Sequence, residues 1–265
     1  MDVHDLSTWE EFELKLIPLK KIIYQKANGK ASSILFRGLT NHEWNLETTL
    51  ERYMGKNIKV SQYYNLINES KNEIETFTGK KWNEAAYFSK NLESFDPSQN
   101  SIASILPLDY LVYMRHHGFP SPLLDWTRSP YIAAYFAFRD LSTKNRVSIY
   151  AYIEHLGIKT TWSNALNIYI LPRKNIGSEI RHFLQQSAYT ICTAEEGIKT
   201  YFGNFEKVTT PRTKPQDLLW KFTLPADERR KVLKTLDTYN INAYSLFRSE
   251  ESLMETVFIR EHLCK

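Results

Sequence analysis

The spacing of apolar residues divides the chain into a helical first half and a strand-rich second half. After a cap-like Ser7-Thr8, residues Trp9, Phe12, Leu14, Leu16 and Ile17 make a roughly helical stripe, which Pro18 is expected to break or kink. Asn28-Gly29 is a turn signal, and residues 33–39 then read as a strand that ends at Arg37-Gly38. Leu46 to Arg52 reads as a short turn or helix. Residues 58–98 carry helical periodicity through Tyr63, Tyr64, Ile67, Ile74 and Phe77 and again from Trp82, with a division at Gly79-Lys80-Lys81. Another helix is predicted over 107–117. Strand-like runs follow at 147–153, 167–170, 187–192 and 218–222, with 180–183 open to either assignment. Residues 226–238 and 249–262 close the chain as helices. No repeat and no linker interrupts this order, so the fold class is α+β in one compact domain.

The two halves meet at residues 114–138. His116-His117 lead into a turn from Gly118 to Pro122, and Leu123-Leu124 carry the chain to Asp125, Trp126 and Thr127. Ser129-Pro130 then predicts a helix start, because serine caps an orphan first-turn amide and proline needs none at the next position. Tyr131, Ala134, Tyr135 and Phe138 form that helix's stripe, with Ala133 and Ala137 beside it.

Composition narrows the function classes. In 265 residues, 34 basic side chains are nearly matched by 30 acidic ones, and a formal charge of +4 is too small to argue for nucleic acid. Two cysteines, Cys192 and Cys264, make neither a disulfide framework nor a metal-ligand pattern, and Cys192 sits in an apolar run that predicts a buried thiol. No run approaches the roughly 18–20 apolar residues of a membrane span. A reduced, cytoplasmic, soluble protein is expected, with no membrane partner and no metal.

Chemistry is narrowed by absence as well. There is no nucleophile elbow, no phosphate loop and no dinucleotide fingerprint, and only 9 glycines are available. An anionic ligand would have to be held by side chains, for which arginine is suited. Arg37, at the edge of an apolar strand, is the best placed. An equally weighted alternative pairs it with a buried carboxylate such as Asp125.

Phe36-Arg37-Gly38, Trp44, Leu46 and Arg52, followed by His116 to Pro120 and Leu123 to Pro130 with Ala134, Phe136 and Ala137, resemble the FRG domain, a bacterial family named for its Phe-Arg-Gly triplet. Arg181, Gln185 and Tyr189-Thr190 resemble its Arg-Ile-x-x-Gln-x-Gly-x-Phe-Thr element. Ser245-Leu246-Phe247 with Glu251 and Leu253 resembles its closing segment. Departures are Arg115 in place of Gln, Ser121-Pro122 in place of Thr-Arg, Ser187 in place of Gly and Arg248 in place of Pro. The resemblance assigns 20–265 to the domain and 1–19 to an N-terminal helical extension.

The order of Arg37, then Thr127-x-Ser129 before an Ala- and Phe-rich helix, then a late acidic or amide residue is similar to R-S-E-type ADP-ribosyltransferases. That likeness implies a split β core with surrounding helices and NAD as substrate. It implies catalytic roles for Arg37, Ser129, Gln185 and Glu251, and NAD contacts from Arg37, His116, Thr127, Trp126 and Tyr189. Gln185 holds the family position of the third residue, with Glu179 and Glu251 as acidic rivals. The implied activity is ADP-ribosyl transfer to a protein or nucleic acid, or NAD hydrolysis, in bacterial defence or as a toxin, with a regulatory or antitoxin partner. The alternative is a non-catalytic module binding nucleotide or nucleic acid, motivated by the basic segments from Lys20 to Lys30 and Lys207 to Lys221. A third alternative makes His116, Asp125 and Arg37 one buried polar network.

Overall fold

The computed structural model describes residues 1–26, 31–82, 107–157, 159–160, 166–171, 180–196, 199–208 and 216–263. The expected turn at Asn28-Gly29, the helical periodicity beyond Trp82, Glu179 and Cys264 lie outside these residues. Eight strands are found among them: β1 (Asp2–Asp5), β2 (Leu35–Leu39), β3 (Leu124–Thr127), β4 (Arg146–His155), β5 (Leu166–Ile170), β6 (Ser187–Glu196), β7 (Lys199–Phe202) and β8 (Gln216–Pro225). They form one mixed sheet in the order β1-β8-β4-β2-β3-β6-β5, with β7 paired to β6. Only β1 with β8 is a parallel pair; the rest are antiparallel. The architecture is α+β.

The helices are α1 (Trp9–Lys26), α2 (Thr49–Met54), α3 (Val60–Thr78), α4 (Leu108–His116), α5 (Pro130–Phe138), α6 (Ile180–Leu184), α7 (Arg229–Thr238), α8 (Ala243–Phe247) and α9 (Glu250–Phe258). Their ends follow local chemistry. Ser129 Oγ accepts from the Ile132 amide at the start of α5, with Pro130 in the first turn. Thr48 and Glu51 close a capping box on α2, and Gly79, in the left-handed region, ends α3.

Several expectations are corrected. α1 runs on through Pro18, and its inward stripe is Trp9, Phe12, Leu16 and Leu19, whereas Leu14 and Ile17 are exposed. The stripe is thus set by the 3.6-residue period, which Leu14 does not satisfy. α1 spans residues 19 and 20 as part of one continuous helix. Its Phe12 lies edge-on to Phe222 of β8 at 5.6 Å, in the same core as α5 and α7. Residues 180–183 are helical, and the helix expected from 226 begins as a 3₁₀ turn, Ala226–Glu228.

Side chains bury on both faces of the sheet. Phe36, Val147, Ile149 and Phe222 face α1, α5 and α7 on one side. On the other, Leu35, Trp126, Tyr150 and Tyr152 form one cluster with Ala188 and Cys192 of β6. Tyr189 and Ile191 alternate to the opposite face of β6 and join α3 and α4 in a further cluster. The sheet is weakest between β2 and β3, where only Phe36 and Thr127 stand opposite one another in register. β2 is paired along its whole length with β4, and β3 with β6. The seam between these two halves is what positions the site.

Gly38 fixes how α5 sits on that seam. A Cβ there would lie 1.9 Å from the Ala133 carbonyl oxygen and 2.7 Å from the Ala137 amide nitrogen. Helix backbone therefore rests directly on strand backbone, which requires glycine on one side and the small Ala133 and Ala137 on the other.

Candidate active site

A cleft of about 460 Å³ opens at the seam. Its walls are β2 (Arg37, Gly38), β3 (Asp125 to Thr127), the end of α4 (Arg115, His116), α5 (Phe136), the end of α6 (Arg181, Gln185), Tyr189 of β6 and Phe247 of α8. Most of the polar residues expected from the sequence therefore converge, although they lie up to 152 positions apart, as Arg37 and Tyr189 do.

Arg37 Nη1 donates to the Asp125 carbonyl oxygen at 2.6 Å, bridging the seam where ladder hydrogen bonds are missing. Its Nε is buried without a hydrogen-bond partner in the protein. Burial pushes the guanidinium down to about 10, with the Asp125 charge opposing and the Arg115 charge adding, so it stays protonated at neutral pH. The carboxylate of Asp125 is held by Arg115 rather than by Arg37. Arg115 donates through Nε to Oδ1 and through Nη2 to Oδ2 (2.5 Å), and its Nη1 donates to Thr49 Oγ1 at 3.1 Å. Desolvation alone would raise the Asp125 pKa, but the charge and hydrogen bonds of Arg115, then the charge of Arg37, outweigh it and hold it below the usual carboxylate range. The carboxylate lies deep, yet 44% of the side chain remains accessible because the cleft reaches it.

The remaining residues divide between wall and scaffold. Thr127 Oγ1 donates to the Gln185 carbonyl (2.7 Å) and accepts from the Ser129 amide (3.2 Å), which locks the corner after β3. Gln185 Nε2 donates to the Leu246 carbonyl at 3.2 Å, joining α6 to α8. His116 Nε2 lies 2.9 Å from Tyr189 Oη, which is also 3.4 Å from His182 Nδ1. Ser129 serves as the α5 cap and is not a lining side chain, and Glu251, exposed on the first turn of α9, is not a lining residue either, although its charge interacts with that of Arg181 on the cleft wall.

Trp126 and Tyr189, from which NAD contacts are expected, offer little surface to a ligand. Both line the cleft but are 3% and 1% exposed, and the Trp126 indole N–H donates to Thr190 Oγ1 at 2.7 Å. Their ring faces are spent on the core: Trp126 against Tyr152, Tyr189 against His182. The aromatic rings with surface to offer are Trp44, Phe136 and Phe247. The Arg139 and Arg181 guanidiniums lie 4.7 and 5.7 Å from the Phe247 centroid, and Arg139 is held by both oxygens of Glu255. Among the described residues, neither Arg37 nor Arg181 is ion-paired to a carboxylate.

Two features of this wall carry a sequence signal of their own. Arg115 ends a helix whose residues Tyr110 to Met114 are all buried, and an inward arginine needs an anionic partner. Arg181 precedes Gln185 by one helical turn, which places both on one face.

The FRG-domain family model matches residues 32–146. Those residues are similar to the FRG domain. The matched segment runs from just before β2 to the first residue of β4 and contributes Arg37, Arg115, His116, Asp125, Thr127 and Phe136 to the cleft. Arg181, Gln185, Tyr189 and Phe247 close the cleft from outside that segment, so the matched segment and later elements build the site together. No curated protein and no solved structure matches the chain. No cluster of His, Cys, Asp or Glu that could hold a metal ion occurs among the described residues, and no described helix is long and apolar enough to cross a membrane.

Proposed function

We propose that the cleft binds NAD and cleaves its nicotinamide–ribose bond, passing ADP-ribose to a protein or nucleic-acid acceptor or to water. The observation that carries this reading is Arg37, protonated and with its Nε unpartnered, on the wall of a cleft that also holds Thr127, His116 and Gln185. About 460 Å³ lies within the range of small-molecule sites. Arg37 and Arg181 would take the pyrophosphate, since guanidinium forks match phosphate oxygens and neither is committed to a carboxylate. Phe136, Phe247 and Trp44 supply apolar surface for the rings. Thr127 and Ser129 brace the corner. Gln185, an amide, can orient a ribose hydroxyl but cannot take a proton as a base. The defence or toxin setting, and a regulatory or antitoxin partner, rest on the family resemblance.

A second reading, a module that binds the nucleotide without turning it over, is favoured by one fact: among the described residues, no glutamate lines the cleft. Calorimetry with NAD and ADP-ribose, alongside nicotinamide release from labelled NAD, separates the two. The wild-type protein should bind NAD and release nicotinamide, and Arg37→Ala should lose about 10- to 100-fold in affinity with the loss of a charge-assisted contact. Binding without release would leave the module. Binding of neither nucleotide would remove both readings.

A further inference from the structure

Glu251, the described one of the expected acidic rivals, does not line the cleft, yet bond cleavage at a ribose carbon builds positive charge that a carboxylate would stabilise. Two carboxylates do line the cleft, Asp125 and Asp140. Asp140 is exposed at the end of α5. Asp125 is different in three respects. It sits on β3 between Leu124 and Trp126, whose side chains point into the core, so alternation turns Asp125 and Thr127 to the opposite face. Arg115 grips both of its oxygens and is itself tied to Thr49, so the carboxylate has a fixed position. Finally, it remains 44% accessible, whereas the side chain that grips it is only 10% accessible.

A carboxylate has about four acceptor sites, and a bidentate arginine occupies two of them. The others are left toward the cleft. We infer that Asp125 is a catalytic residue, the fixed negative charge that faces the ribose C1′ as the nicotinamide bond breaks. This inference rests on the NAD reading above. In the step, the C1′–N bond breaks and its electron pair passes to the pyridinium nitrogen, which leaves as neutral nicotinamide. Positive charge moves to C1′ and the ring oxygen. Water or an acceptor O–H or N–H attacks C1′ and its proton goes to solvent. Asp125 acts as an electrostatic stabiliser rather than as the base, which agrees with a pKa held below the ordinary range. A charge that is pre-oriented before the reaction is worth more than one that must reorganise during it.

The test uses the full chain with two variants. Asp125→Asn keeps the side-chain volume. Asp125→Asn combined with Arg115→Gln removes both charges of the pair, so no buried arginine is left unpartnered and the folded state is preserved. Nicotinamide release gives kcat and KM, and calorimetry gives the affinity for ADP-ribose, which lacks the bond to be broken. Both variants should lose about 100-fold or more in kcat, while ADP-ribose binding weakens by no more than about threefold. A folded variant with kcat within about threefold of wild type would overturn the assignment alone. Loss of ADP-ribose binding in step with kcat would also overturn it, by showing that Asp125 only shapes the cleft. A wild-type protein that releases no nicotinamide would overturn both this assignment and the reading beneath it.

Discussion

Replacing Gly38 by alanine tests whether the seam depends on backbone contact between β2 and α5. The added methyl would start 1.9 Å from the Ala133 carbonyl oxygen and 2.7 Å from the Ala137 amide nitrogen. Ordinary carbon contacts lie at roughly 3.5 Å, so helix and strand must separate by more than about 1 Å. Neither atom belongs to a flexible side chain, and Ala133, Ala134, Ala137 and Phe36 are all buried beside the contact. Overpacking of this kind costs about 1–3 kcal/mol, and two rigid backbones place it at the upper end. Lower backbone entropy in the unfolded chain returns roughly 0.5–1 kcal/mol. The expected net loss is about 2–2.5 kcal/mol, or a Tm lower by about 4–10 °C for a chain of this size. Urea unfolding and thermal melts under matched conditions measure it. A Gly38→Ala protein that melts within about 1 °C of wild type would refute the packing argument.

Three further outcomes follow from the geometry. Ser129→Ala should cost about 1 kcal/mol through loss of the α5 cap and leave ADP-ribose affinity unchanged; a tenfold affinity loss in the folded variant would return Ser129 to the site. Glu75 is held down to about 2 by hydrogen bonds from Lys71, the Trp82 amide and Lys81, so its contribution is whole above its ordinary 4.5 and drains away as pH falls toward 2. The stability deficit of Glu75→Gln, measured by denaturation, should therefore shrink between pH 7 and pH 3, and an equal deficit at both would contradict the assignment. Arg115→Gln removes one positive charge near the cleft, worth on the order of 1 kcal/mol at roughly 8 Å and an effective dielectric constant of about 40. ADP-ribose affinity should fall about fivefold at low salt and less at high salt, and a salt-independent loss would point to disrupted shape instead.

The elements that obey a strong local rule could be read in advance. The Ser129-Pro130 start, the strand at Arg37-Gly38 and the helix before His117 are all found, because caps, turns and periodicity are short-range. β1 could not be, since Asp-Val-His-Asp has no apolar alternation and takes its structure from the edge of β8. The convergence of Arg37, Thr127 and Gln185 is anticipated in the residues but not in the geometry. It depends on β3 lying between β2 and β6, and strand order is a long-range property. Trp126 and Tyr189 show the same limit from the other side. Aromatic type suggests a stacking surface, but only the packing reveals that Tyr152 and His182 already occupy their faces.

Arg115 shows how one departure from the family pattern changes the site's electrostatics. The resemblance expects glutamine there. A glutamine amide could reach Asp125 with at most two donors and no charge, whereas the guanidinium donates twice to the carboxylate and once to Thr49. With arginine, Arg37, Arg115 and Asp125 sum to one positive charge; with glutamine they would sum to zero. The extra cation bears on Arg37 as well, since it adds to the burial that lowers the Arg37 pKa, while the Asp125 charge between them opposes it. The same side chain therefore does two things that a glutamine cannot do together. It keeps Asp125 ionised and fixed within reach of the cleft, and it leaves the charge of Arg37 uncompensated for an incoming anion.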